Sequence, residues 1–136
     1  MIKQRDVITI RLPFPNLNSA LAVRSHMYIC ENEKQNDFCF IKCQTYKNKN
    51  YNLNHYLIED VDISRNPFNK VSLIDCEKRF NVRNVSISED ILAKKRRDVS
   101  EELFKLIKQT INEEECDNKE MDRKDVCTIN KKIELL

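Results

Sequence analysis

The sequence predicts a mainly β, α+β protein: a small antiparallel barrel or strongly curved sheet with a helix packed at one end. Three observations carry this. Short apolar runs of strand length follow one another through the first two thirds of the chain, with turn residues between them. No helical segment alternates with them, so there is no βαβ unit and no parallel sheet to expect. The clearest helical pattern comes late, after Ser100. At 136 residues, 40% apolar and 34% charged, the chain can bury one core.

The elements follow in order. Ile8, Ile10 and Leu12 alternate with Val7, Thr9 and Arg11, the period of a half-buried strand, and Pro13 and Pro15 end it. Leu21 to Cys30 is a second β-rich run, which would put Arg24 and His26 on one face of a strand. Phe38 to Thr45 is apolar on both faces and is therefore expected at the centre of the sheet. Lys47 to Asn54 reads as a long exposed loop. Strands follow at His55 to Val61, Val71 to Cys76 and Phe80 to Ile87, with Asn66-Pro67-Phe68-Asn69 as a turn. Ser88 can cap a short helix that leads into Lys94-Lys95-Arg96-Arg97. Ser100 caps the main helix, Glu101 and Glu102 favour its positive end, and Val99 and Phe104 are spaced as a hydrophobic staple. Leu103, Leu106, Ile107 and Ile111 form its apolar stripe. The apolar pattern then dissolves, which divides the chain into a body at 1–111 and an acidic extension at 112–136.

Composition removes several functions. There is no glycine, so a dinucleotide-binding GxGxxG, a P-loop, a GxSxG elbow and an EF-hand loop are all excluded as motifs. Fifteen asparagines can occupy some of the left-handed turn positions instead. No apolar run reaches membrane-spanning length and the N-terminus lacks a signal-peptide pattern, so the expected setting is cytoplasmic, with no membrane partner. There the six cysteines are expected as free, small hydrophobes. The segment from Asn112 onward has eight acids against five bases, which leaves the body at +5 and permits an anionic partner.

Two histidines are too few for a His-rich metal site. Cys39 and Cys43, four apart on a strand, stand roughly 13 Å apart, too far for one zinc, so no metal site is expected. Arg24 and His26 offer a fixed cation beside a group that exchanges a proton near neutral pH. RNA cleavage by its own 2′-hydroxyl needs a proton acceptor, a proton donor and positive charge on the phosphorane. Lys94 to Arg97 offer phosphate contacts, and Tyr46 and Tyr51 offer rings on which bases can stack.

The order of these segments resembles the PemK/MazF family of type II toxin-antitoxin endoribonucleases. Gln4-Arg5-Asp6-Val7-Ile8 is similar to the family's R-G-D-[IV]-[VW] opening, and Leu12-Pro13-Phe14-Pro15 to the strand end that follows it. Ala22 to Cys30 sits where the family has K-x-R-P-A-[LV]-V-[LV]-S, and Leu73 to Lys78 is similar to its [LV]-x-D-Q-[IV]-[KR] segment. Val99 to Ile111 resembles its closing helix. The resemblance covers residues 4–111. It implies an SH3-like barrel, a homodimer, metal-independent and cofactor-free cleavage of single-stranded RNA at short sequences by 2′-hydroxyl attack, and inhibition by a cognate antitoxin.

Carried over residue by residue, the resemblance puts Arg24 on the family's active-site arginine. The position of its catalytic Thr or Ser falls on Gln44, with the hydroxyl of Thr45 one place late, and His26 stands ready for proton transfer. Tyr46, Lys47, Lys49, Tyr51, Lys78 and Arg79 form the expected RNA path. Arg5, Ser25 and Cys76 replace the family's glycine, proline and glutamine. The rival reading is a catalytically degenerate binding module for nucleic acid or protein, such as an inhibitor carried by a phage or mobile element. The acidic, partly apolar 112–136 segment also looks like an antitoxin arm that would cover the site in cis.

Overall fold

The computed structural model describes residues 1–136 as a mainly β fold with short helices, built on an antiparallel sheet that does not close. Strand β1 (Val7–Ile10) pairs with β2 (His26–Lys34), and β2 with β3 (Asp37–Thr45). On its other side β3 pairs first with β6 (Lys78–Val82) and then, beyond a turn at Cys76-Glu77, with β5 (Ser72–Asp75). β4 (Tyr56–Glu59) forms the edge beyond β5. The central place of β3 follows from its sequence: Phe38, Phe40, Ile41 and Cys43 are all buried, which requires cover on both faces.

Each face supports its own core. On one, Ile8, Ile10, Tyr28, Phe40 and Phe80 pack together. On the other, Val7, Ile29, Ile41, Cys43 and Ile74 pack beneath helix α2 (Glu101–Thr110) through Leu103, Ile107 and Ile111. Ser100 caps that helix as expected, its Oγ accepting from Leu103 N at 3.1 Å. Leu106 departs from the expected stripe and is exposed. Val7 also departs from the half-buried expectation: α2 and Val99 cover its face of β1 at that point, whereas Thr9 on the same face stays exposed. The outer edge of β1 is bonded to the segment before α2, through Val7 N to Arg97 O at 2.8 Å and Ala93 N to Val7 O at 2.9 Å.

The second expected strand is shortened. Ala20–Val23 form a single helical turn, α1, and β2 begins only at His26. Alanine and leucine favour a helix, and four apolar residues are too few to show a period. Arg24 is therefore the C-cap of α1 rather than a strand neighbour of His26. The short helix expected after Ser88 is a 3₁₀ turn, Glu89–Ile91, and the run expected from Phe80 to Ile87 divides at Asn84 into β6 and β7 (Val85–Ile87). Asn84 has φ 56° and, in a chain without glycine, takes the left-handed position that separates the two strands.

The acidic segment belongs to the fold. β8 (Asp117–Glu120) lies parallel to β6, α3 (Arg123–Ile129) is capped by Asp122, and β9 (Ile133–Leu135) pairs with β7. Val126 and Ile133 are buried among Ile8, Ile10 and Tyr28, so they seal the first core rather than cover a site. Truncating Val126 to alanine is expected to lower stability by about 2 kcal/mol in urea unfolding, as for other buried aliphatic side chains. An unchanged midpoint would mean that the segment is not part of the core.

Candidate functional site

Where β2 begins and β3 ends, three clefts adjoin one another. The first, of about 430 Å³, is lined by Thr9, Ser25, His26, Gln44, Thr45, Phe68 and Lys70 among others. The second, about 620 Å³, shares Thr9 and Ser25 and adds Arg11, Asn130, Lys131 and Lys132. The third, about 370 Å³, shares Thr9, Met27 and Asn69 with the first and adds Asp90, Lys94 and Lys95. Exposed Thr9 of β1 is common to all three. Six lysine and arginine side chains and His26 line this surface against one carboxylate, Asp90, which is itself held by Lys132 at 3.0 Å.

Strand register assembles the first cleft. Thr9 pairs with Met27 and Met27 with Cys43. That is the last β2–β3 pair: Ser25 and His26 lie just before and at the start of β2, Gln44 and Thr45 at the end of β3, and all four line the first cleft. The one-residue difference between Gln44 and Thr45 turns their side chains to opposite faces, yet the cleft takes both because it wraps the end of the sheet. The floor comes from the Asn66–Asn69 turn. Asn66 is buried and fixes it, accepting from Phe68 N at 3.0 Å and donating to Asp60 O at 2.9 Å, so Phe68 turns inward and Lys70 emerges at the rim.

His26 is half-buried, with Nδ1 3.2 Å from the Arg24 carbonyl. A carbonyl only accepts, so Nδ1 carries the proton and Nε2 keeps its lone pair. Burial lowers the imidazole below its usual 6.5; the Arg24 carbonyl opposes this, and the charges of Lys42 and Arg24 lower it further. The ring is thus neutral at pH 7 and able to accept a proton. Lys42, on the same sheet beside buried Tyr28, is also lowered by burial, partly offset by Asp75.

The other expected site residues divide. His26, Gln44 and Thr45 are brought together in the first cleft. Arg24 is exposed, its side chain makes no ion pair, and it lies next to the cleft without lining it. Tyr46 and Tyr51 pack against each other in the loop that follows Thr45, with ring centroids 5.9 Å apart. The Lys49 ammonium lies 5.5 Å from the Tyr51 centroid, and Lys47 N donates to Tyr51 Oη at 3.0 Å. These four residues form a separate knob rather than a cleft wall. Lys78 and Arg79 are not brought to the site. Lys78 lies 3.9 Å from Asp75, and Arg79 grips Glu31 at 2.6 and 2.7 Å and Glu113 at 2.6 and 2.7 Å. Of the basic run, Lys94 and Lys95 line the third cleft, whereas Arg96 is engaged by Asp98 and Arg97 by buried Asp6.

Sequence reasoning missed Thr9, Arg11, Ser25, Lys70, Lys131 and Lys132. Each is an ordinary polar residue locally, and only the pairing of distant segments gathers them. All six cysteines are free, and burial pushes the thiols of Cys39 and Cys76 up to about 12, so they stay protonated and inert. No group of three or more His, Cys, Asp or Glu side chains is placed to hold a metal ion, and no helix is long and apolar enough to cross a membrane. Compared with family models, curated proteins and solved structures, the chain matches none.

The neutral ring gives the prediction for this site. Proton NMR titration of His26 should show a midpoint below 6.5, and Lys42→Ala should raise it; a midpoint at or above 6.5 would contradict the geometry described.

Proposed function

We propose that the chain is a PemK/MazF-like endoribonuclease that binds single-stranded RNA along the joined clefts and cleaves it at His26. The observation that carries the reading is the joined surface itself, with six cationic side chains around a neutral histidine and one neutralised carboxylate. Such a surface attracts a polyanion. A second support is backbone geometry. Arg5, which replaces the family's glycine, has φ 79°, a conformation glycine adopts without strain.

The chemistry follows from the side chains. His26 Nε2 takes the proton of a ribose 2′-hydroxyl, and the freed oxygen attacks the adjacent phosphorus. The Lys70 ammonium in the cleft stabilises the charge that builds on the phosphorane, and exposed Arg24, which makes no ion pair, swings in from beside the cleft over the bound phosphate to join it. The 5′ oxygen departs and takes a proton from Lys70 or from water in the open cleft, leaving a 2′,3′-cyclic phosphate and a 5′-hydroxyl. Thr45 and Gln44 donate hydrogen bonds that orient the phosphate, and the Tyr46–Tyr51 knob stacks flanking bases. On the same reading the chain forms a homodimer and meets a cognate antitoxin. The exposed Tyr56 and Ile58 of edge strand β4 suit a protein contact.

Gln44 supports one rival. An amide can hold a phosphate but cannot relay a proton, so a binding module on the same fold would keep the clefts and cut nothing.

Incubation with mixed single-stranded RNA in EDTA separates the two. The enzyme reading expects cuts ending in cyclic phosphate. It expects them to fall about 100-fold or more in Arg24→Ala and His26→Ala, and to fade as pH drops below 6.5, where His26 protonates. Undiminished cutting by Arg24→Ala would sink it, and binding without cutting at any pH would establish the binding module.

A further inference from the structure

The second cleft lies outside the segments that resemble the toxin family on one of its two walls, which residues 128–132 supply. That wall is built, not frayed. The Asn130 side chain accepts from Arg11 N at 2.9 Å and donates to Arg11 O at 2.7 Å, tying the end of the chain to the end of β1. Asn130 also donates to Val126 O at 2.8 Å, and buried Val126 and Ile133 anchor the wall on either side.

Charge is sorted within the acidic segment. Glu113 is paired with Arg79, Glu115 with His55 and Glu120 with Arg83, and none of these three partners lines the joined clefts. Lys131 and Arg11 face the second cleft with no carboxylate partner, and Lys132 shares only Asp90. A segment that is acidic overall thus presents its basic end to the surface where a polyanion would lie.

We infer that the second cleft is an accessory RNA subsite, in which Arg11, Lys131 and Lys132 hold the phosphates of nucleotides flanking the scissile one while Ser25 marks the passage from the first cleft. This rests on the RNA reading given above. It makes the C-terminal segment part of the substrate groove, in place of an arm that blocks it. Strands long enough to cross from the first cleft into the second bind more tightly than short ones.

The test measures binding of fluorescein-labelled 2′-O-methyl RNA, which cannot be cleaved, as mixed-sequence 4-mers and 12-mers, by anisotropy at several salt concentrations. The doubly substituted Arg11→Ala/Lys131→Ala protein is compared with wild type and with Lys34→Ala/Lys105→Ala, which removes two exposed cations outside the clefts. Thermal melts confirm that all three fold. The subsite predicts about 10-fold weaker 12-mer binding by the first variant, with its salt slope reduced by about 1.4, since each phosphate contact contributes about 0.7 for single strands. Its 4-mer binding, and both affinities of the second variant, should stay within about 2-fold of wild type. Equal 12-mer binding by the first variant, or equal losses from both variants, would overturn the subsite and leave the RNA reading standing. Absence of any RNA binding by wild type would overturn both.

Discussion

The register of β2 against β3 is the constraint on which the rest of the structure depends. From Cys30–Phe40 to Met27–Cys43 it is regular, and it brings the start of β2, with His26, and the end of β3, with Gln44 and Thr45, to one end of the sheet. In the other direction it shifts by one residue at a bulge between Cys30 and Asn32, which leaves Glu31 without a strand partner. The bulge aims the Glu31 carboxylate at Arg79 of β6 and Lys108 of α2, the latter at 2.5 Å. Burial raises the carboxyl's pKa, but the hydrogen bonds and charges of Arg79 and Lys108 more than reverse this, so it stays ionised. A buried carboxylate needs such partners. Because Arg79 also binds Glu113, one bulge ties together the sheet, the helix and the start of the C-terminal segment.

The second consequence of that register is a sheet covered on both faces. Helix α2 closes one face, and the C-terminal strand and helix close the other. No residue of α2 lines the clefts at the end of the sheet where β2 starts; they form there between strand ends, the Asn66–Asn69 turn and the end of α3. Phe68, Asn66 and Asn130 hold the surrounding segments in place, so the cations at the rim are presented by bonded, packed backbone.

What was legible in the sequence was local. Phe38 to Thr45 announces a central strand because both of its faces are apolar, and Ser100 with the Leu103–Ile107–Ile111 stripe announces the helix. Two of the site residues, His26 and Gln44, follow from the strands on which they lie, although the expected pairing of Arg24 with His26 along one strand gives way to a helical turn. What was illegible was set by distant pairing. Asp117–Glu120 is polar throughout and becomes a strand only because β6 offers it backbone partners. Val126 and Ile133 stand with Ile129 and Leu135 in an apolar-spaced run that suggests a strand or a docking segment, but nothing local says that it packs into the first core rather than over a site. Arg79 looked like a free cation because Glu31 and Glu113 are 48 and 34 residues away.

The central claim is that the joined clefts around Thr9 are where RNA lies. Titrating ¹⁵N-labelled protein with uncleavable single-stranded RNA and following backbone amide shifts tests it most directly. The account predicts that the largest changes map to Thr9, Ser25, His26, Gln44, Lys70 and Lys94. Changes confined to the Glu31–Arg79 region or to edge strand β4, with the cleft amides unmoved, would contradict it.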